Sequence, residues 1–539
     1  MFRNQSANVH QFSFVPRNDV PRSGIRIEST HKTTFDAGYL IPVYVEEVLP
    51  GDTFNLHQTL FARMATPLFP IMDNLYIDWQ WFFCPNRLLW ENWEKFMGEQ
   101  DNPGDSTEFI QPYIQSPLNG YQVGTIFDQM GLPTVGQVAV GATVITQVLP
   151  LRMYNRVWNE WYRDQNLQDS VPMHVDDGPD PVADYTLLRR GKRHDYFTSC
   201  LPFLQKGTAV PMPVGTSAPV VPLPGSVSDF EAPSFRSATD ETVSTLSFLT
   251  TGASSHTAST TNQTAGTLTW DETTGLYADL AAATGATINL FRQSIMIQSL
   301  MEKDARGGTR YAEIVRSHFG VISPDARLQR PEYLGGGSQA IAINPVSQTA
   351  EAGSAPVGTQ GAYSTVVARG GFTQSFTEHG FVMCLASVRA DLTYQQGVRR
   401  MWFRGLNGTK YEHYWPSLAQ LGEQAVLSQE IFADGTNDDA DVFGYQSRWS
   451  EYQHHPSTIC GLFRSTIPSG SLDVWHLSQE FATRPVLDDV FIQENPPINR
   501  VTSVNGGTGT AQFIMDAFFV NKAARPLPLY SVPATLGRF

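Results

Sequence analysis

The chain has 539 residues, 17% of them charged and 12% aromatic, and a formal net charge of −15. That length suits a large core or two to four domains. The acidic balance excludes a protein that coats nucleic acid with its whole surface, though not one with a local basic face, and without any run of about 18 apolar residues no membrane span is expected.

Residues 1–30 hold Arg3, Arg17, Arg22 and Arg26 against only Asp19 and Glu28, show no helical period, and read as an extended basic arm with no apolar run of signal-peptide type. Strands follow over 31–84. In "TFNLHQTLFARM", Phe54, Leu56, Leu60 and Met64 alternate imperfectly; in "NLYIDWQWFF", Leu75, Ile77, Trp79, Trp81 and Phe83 keep a clean period of two. "NRLLWENWEKFMGE" (86–99) turns helical, with Asn86 as N-cap and Gly98 as stop. "LRMYNRVWNEWYRDQN" (151–166) carries an aromatic stripe that includes Trp158 and Trp161, the spacing of a core or helix contact. Residues 207–286 become rich in Pro, then in Thr, Ser, Ala and Gly, and read as an exposed insertion with short β pieces. Two helical segments follow at 288–304 and 309–320. After 335 the chain is Gly-rich and β-like, with buried strands expected in "HGFVMCLASVRADLTY" (379–394) and "AQFIMDAFFVNKA" (511–523).

Of 37 basic residues only seven are Lys, which leaves 30 Arg. Arg is favoured and Lys disfavoured at protein interfaces, because guanidinium is weakly hydrated and makes forked hydrogen bonds; a biased genome composition gives the same count. Cys84, Cys200, Cys384 and Cys460 lie far apart without a CxxC, which suits buried thiols in a reducing cytosol.

No motif supports catalysis. His454 and His455 are adjacent, so their side chains diverge and do not converge on one metal. "DGTNDDAD" (434–441) lacks the Gly and Glu that a calcium loop needs at its sixth and twelfth positions; a calcium ion held by distant segments stays open. "RRGKRHD" (189–195) is close to a phosphate loop but lacks its first Gly and its Ser or Thr; it reads as a solvated loop or as a nucleic-acid or subunit contact. The glycines of "YLGGGSQA" (333–340) have no strand–turn–helix context. No cofactor is expected.

Long strings along the chain resemble the major capsid protein of microviruses, of the gokushovirus subfamily. They are "FSFVPRNDVPRS" (12–23), "HKTTFDAGYLIPVYVEEVLPGDTF" (31–54), "FARMATPLFPIMDNLYIDWQWFFCPNRLLWENWEKFMGE" (61–99), "RYAEIVRSHFGVISPDARLQRPEYLGGG" (310–337) and "FGYQSRWSEYQHHPS" (443–457). The resemblance implies a mainly β fold: an eight-stranded antiparallel jelly-roll barrel with long loop and helical insertions. It is divided into the arm (1–30), a first part of the barrel (31–206), a surface insertion (207–286) and the remainder with a helical insertion (287–539). It implies a structural protein, not an enzyme, that forms pentamers and then a T=1 shell of sixty copies around circular single-stranded DNA in the bacterial cytoplasm. Implied partners are an internal scaffolding protein, a DNA pilot protein, a small basic DNA-binding protein and a host surface receptor.

Residue by residue, Arg3, Arg17, Arg22, Arg26, Arg399, Arg400 and Arg404 are candidates for interior DNA contacts, with ordinary salt bridging as the alternative. Tyr445, Arg448, Trp449 and Tyr452, with Trp158 and Trp161, are candidates for subunit contacts. Thr242, Phe248, His256, Asn262 and Trp270 are candidates for a host-attachment protrusion at the three-fold axes, with an internal linker as the alternative. Two other classes compete. A carbohydrate-active enzyme requires a cleft with two carboxyls at a defined separation, and a receptor-binding module requires a trimer on a stalk.

Overall fold

A computed structural model describes residues 22–210, 288–322, 328–349, 356–406, 408–503 and 510–530, together with the backbone of short strands between 220 and 278. Arg3, Arg17, Thr242 and Asn262 lie outside the described residues. The chain divides into two compact units, Gln205–Gly320 and the rest.

Among the described residues of the larger unit, eight strands carry the fold. They are β1 (Ser23–Phe35), β2 (Ile41–Val48), β3 (Thr53–Met64), β4 (Leu75–Pro85), β5 (Glu332–Ala340), β6 (Gln360–Ser375), β7 (Gly380–Ala390) and β8 (Phe513–Arg525). One sheet runs β1-β8-β3-β6, with a further strand, Ala342–Ser347, beside β6; the other runs β5-β4-β7-β2. Every pairing is antiparallel. Apart from β4 and β5, which neighbour each other, each successive strand crosses to the opposite sheet. That strand order is a jelly roll, with strands from both chain ends closed on one another. Residues Ser23–Thr30, read above as arm, are extended as expected but pair with β8 along their whole length.

The period of two in β4 holds: Leu75, Ile77, Trp79, Trp81 and Phe83 all enter the core between the sheets. Trp81 packs there against Phe372 of the opposite sheet, ring centres 5.1 Å apart, and edge-on to Phe519 at 6.0 Å. Each large apolar side chain fully buried in this way contributes about 1.5–3 kcal/mol. The imperfect alternation in β3 is explained by Gln58, an inward polar residue that accepts from Cys384 Sγ at 3.6 Å. Trp79 accounts for Gly337 of β5. A Cβ on Gly337, or on Gly370 across in β6, would stand 2.4–2.5 Å from the indole, so both positions must be bare.

The second sheet is covered on its outer face as well. Phe82, Phe381, Met383 and Leu385 meet a second core made by the segment after β4, including Trp90, Tyr154 and Val157. β7 is therefore buried along both faces. β8, expected to be buried, instead alternates: Phe513, Met515 and Phe519 point inward, Ile514 and Phe518 to solvent. The helix expected over 86–99 is broken. Asn86–Leu88 is a single tight turn, Asn86 makes no capping hydrogen bond, and a regular helix spans only Trp93–Phe96. Trp90, between the two pieces, is fully buried and donates from Nε1 to Asp177 Oδ1 at 2.7 Å. The helix Leu149–Val157 forms as expected, and Arg152 from it is clamped by Asp180 at 2.5 Å and Asp176 at 3.1 Å. This assigns the acids of 175–184 to a latch within the chain.

The unit Gln205–Gly320 contains a four-stranded sheet (His256–Thr260, Val243–Thr250, Ser234–Ser237, Leu268–Trp270) and a strand pair, Val220–Pro222 with Leu276–Ala278. Phe248, His256 and Trp270 lie on these strands. Two helices follow, Ile288–Arg306 and Tyr311–Phe319, and Gly320 ends the second in the left-handed conformation that glycine adopts without strain. His318 Nε2 meets Asp304 Oδ1 at 2.6 Å and ties the two together.

Candidate interaction site

A third cluster, with Tyr196, Phe197, Tyr394, Phe443 and Phe491, supports a hairpin of Glu423–Leu427 and Val442–Ser447. Beside it opens a cleft of about 300 Å³, lined by Tyr196, Arg399, Arg400, Arg404, Glu430 and the segment Glu451–Pro456. Residues proposed separately for DNA and for subunit contact thus meet in one place.

The arginines are not free. Arg404 donates to Glu451 Oε1 at 2.9 Å with both side chains under 10% exposed, and its guanidinium stacks over the Tyr452 ring at 4.2 Å. Arg400 donates to the Ala425 carbonyl at 2.9 Å and lies 3.4 Å from Glu430, which also accepts from the Tyr196 hydroxyl at 2.8 Å. Burial raises the Glu430 carboxyl above its ordinary range, and Arg400 offsets part of that rise. Burial and the adjacent Glu430 charge push the Tyr196 hydroxyl up. Arg399 donates to His455 Nε2 at 2.8 Å, so that nitrogen accepts and Nδ1 carries the proton, directed at the Pro456 carbonyl at 3.1 Å. His454 turns away to the Tyr196 ring, 6.0 Å between centres. The adjacent histidines therefore take separate partners, and among the described residues no group of three His, Cys, Asp or Glu could hold a metal ion. With Glu430 and Glu451 both committed to arginines, the cleft offers no free pair of acids for hydrolysis.

The aromatic candidates divide by burial. Trp449 is buried, donates from Nε1 to the Leu418 carbonyl at 3.1 Å, and adopts the left-handed φ of 72°. Trp158 is buried in the second core, its Nε1 donating to Arg189 O at 2.8 Å. Both are tied up inside the chain, which leaves Tyr452 and Trp161 as the exposed pair. Trp161 still donates to Pro331 O at 3.0 Å, with Arg330 5.2 Å above its ring. Tyr445 exchanges backbone hydrogen bonds with Leu201, and Arg448 stacks on Trp449 at 4.6 Å.

Elsewhere, Arg22 donates to Thr53 Oγ1 at 2.5 Å and Arg26 pairs with Glu28. The "RRGKRHD" cluster is neither a solvated loop nor a phosphate cradle. Arg189 stacks on Tyr39 and donates to Glu494 O, Arg190 pairs with Asp78 at 2.7 Å, and Lys192 is buried against Phe491 at 4.4 Å. The loop acids Asp434 and Asp439 are held by Arg484 at 2.8 and 3.0 Å. Three cysteines are buried as expected; Cys460 is exposed.

A jelly roll built from strands of both chain ends, covered on one side by its own insertion, with Arg400 and Arg404 of its cleft committed to Glu430 and Glu451, suits a structural subunit of a viral shell. The chain belongs to the phage capsid protein family described as "Capsid protein (F protein)", whose model matches residues 13–535. It is similar to capsid protein VP1 of Bdellovibrio phage phiMH2K, 44% identical with 99% of each chain covered. It is also similar to capsid protein VP1 of Chlamydia phage 1 (40% identical) and of Spiroplasma virus 4 (36%), each with 98% of both chains covered. It is thus a structural component of a microvirus virion, not an enzyme.

Proposed function

We propose that this chain assembles through pentamers into a T=1 icosahedral shell of sixty copies that encloses a circular single-stranded DNA genome. The observation that carries this reading is the strand order β1-β8-β3-β6 over β5-β4-β7-β2, found in a chain that matches capsid relatives over nearly its full length. A closed assembly requires heterologous contacts repeated about rotation axes, and the loops and insertions of a jelly roll supply them. Tyr452 and Trp161 offer exposed aromatic surface for such contacts.

A charge of −15 per copy opposes the confinement of a polyanion. A small basic DNA-binding protein inside the shell answers this, and an internal scaffolding protein and a DNA pilot protein complete the set of partners. The Thr- and Ser-rich segment 207–286, with Phe248, His256 and Trp270 on its strands, serves host attachment; its composition suits a solvent-facing tip. The test is light scattering on the purified chain, alone and with the scaffolding protein. A species of five times the 59.8 kDa chain mass is expected. A chain that stays monomeric under both conditions contradicts assembly through pentamers.

A further inference from the structure

The core between the two sheets is not wholly apolar. Four inward side chains carry buried polar atoms that find no hydrogen-bond partner in the protein: the Tyr44 hydroxyl on β2, Gln58 Nε2 on β3, Trp81 Nε1 on β4, and both Nδ2 and Oδ1 of Asn521 on β8. None of the four residues is more than 8% exposed, and each sheet supplies two of them. A buried polar group without a partner costs about as much as a lost hydrogen bond, so native folds rarely leave one. Several in one core require an explanation.

These side chains are neighbours around the Phe519 ring. That ring lies 4.8 Å from the Tyr44 ring and 6.0 Å from Trp81, centre to centre, and Tyr44 and Trp81 are 5.3 Å apart. Gln58 stands opposite Phe519 in the register of β3 and β8, and Asn521 follows two places on, on the same inward face. Cys384 on β7 stands opposite both Tyr44 and Trp81, and its thiol reaches Gln58 Oε1 at 3.6 Å. Burial pushes the Tyr44 hydroxyl up, the Glu46 charge adds to the rise, and the nearby Asn521 amide opposes it. Yet no hydrogen bond of normal geometry joins Tyr44 to Asn521. Their neighbours Cys384 and Ala523 are small.

The balance of donors and acceptors identifies the ligand. Trp81 Nε1 and Gln58 Nε2 offer hydrogens only, Asn521 offers both kinds of partner, and the Tyr44 hydroxyl serves as either. A metal ion needs several acceptors, and only Asn521 Oδ1 and the Tyr44 hydroxyl could serve. An anion would strand Asn521 Oδ1, and Arg525, the cation that acts on Tyr44, is committed to Asp52 at 3.0 Å. Water accepts two hydrogens and gives two, which matches the mixed set.

We propose that the barrel core binds internal water here, with a molecule that bridges Tyr44 on one sheet to Asn521 on the other and takes further hydrogens from Trp81 and Gln58. The site joins the two sheets across the core, and it accounts for polar residues at the inward positions of β3 and β8. It does not depend on the assembly reading.

The test counts long-lived waters on the full-length chain by magnetic relaxation dispersion of the water oxygen signal. Tyr44→Phe removes only the hydroxyl and should lose about one such water per chain. Asn521→Leu should lose the same water. Tyr530→Phe, at an exposed tyrosine, should keep the wild-type count. Melting curves show which variants fold. A wild-type density map that resolves ordered water should hold a peak within about 3 Å of both the Tyr44 hydroxyl and the Asn521 amide, a reading that stands even if Asn521→Leu does not fold. An unchanged count in a folded variant at either position overturns the proposal. So does a map in which the two side chains bond to each other directly, with no peak between them.

Discussion

Asp78 on β4 accepts from Arg389 on β7 at 2.8 Å, inside the protein, where Arg389 is 1% exposed and Asp78 9%. The same carboxylate oxygen takes Arg190 at 2.7 Å, and Ser338 donates to the other oxygen at 2.5 Å. One acid thus joins β4, β5 and β7 to the segment that follows the helical insertion. Burial alone pushes the Asp78 carboxyl up, but the Ser338 hydroxyl and the two guanidinium groups outweigh it and hold it below its ordinary value. Because the folded pKa is depressed, the stabilisation is present above the usual carboxylate range and is lost as pH falls through the folded value. Asp78→Asn should cost about 3–5 kcal/mol, because it leaves the buried Arg389 only Asp391, at 3.7 Å, as a charge partner. Denaturant unfolding at pH 7 measures this, and the gap to wild type should close under strong acid.

Lys192 gives the opposite pH sense. Burial lowers its pKa from 10.5 to about 8, against the pull of Glu494, Asp195 and Asp488. Below pH 8 the folded and unfolded states are both protonated, and the cost of the buried ammonium is fully present. Between 8 and 10.5 the folded state sheds its proton first, so this cost fades as pH rises. Relative to Lys192→Met, wild type should gain up to about 3 kcal/mol from pH 7 to pH 10.5. A gap that is flat with pH would contradict this.

Trp449 and Tyr452 should separate folding from assembly. Trp449 is buried and hydrogen-bonded, so Trp449→Ala should destabilise the chain itself by about 3–5 kcal/mol. Tyr452 is exposed above Arg404, and Tyr452→Ala should stay within about 1 kcal/mol of wild type in melting. If Tyr452 meets a neighbouring copy, its variant should lower particle yield. Thermal unfolding beside a particle count reads both.

The thiols make a simple check of the cores. The Cys84 thiol is pushed up to about 12 by complete burial, and Cys200 and Cys384 are also buried. A maleimide should label the native chain once, at Cys460, and four times after denaturation.

Much of the barrel was legible because the residues that face the core alternate with more polar ones: in β4, Leu75, Ile77, Trp79 and Trp81 are separated by Tyr76, Asp78 and Gln80. β3 was harder to read because Gln58 occupies an inward position where the pattern calls for an apolar residue. The segment 86–99 misled because Leu89, Trp93, Phe96 and Met97 fall at helical spacing, while the backbone is helical only in two short pieces on either side of the buried Trp90. In β8, exposed Ile514 and Phe518 read as core residues, since sequence does not tell a buried face from a bare face that awaits a partner. The cleft was legible only in part. Arg400 and Arg404 stood out as charges, but their acids lie 30 and 47 residues away, and only the fold brings them together.

The most direct measurement is electron microscopy of the chain co-expressed with the neighbouring phage genes. The account predicts closed particles of sixty copies. Only free chains or small rings, in the presence of the full set of partners, would contradict it.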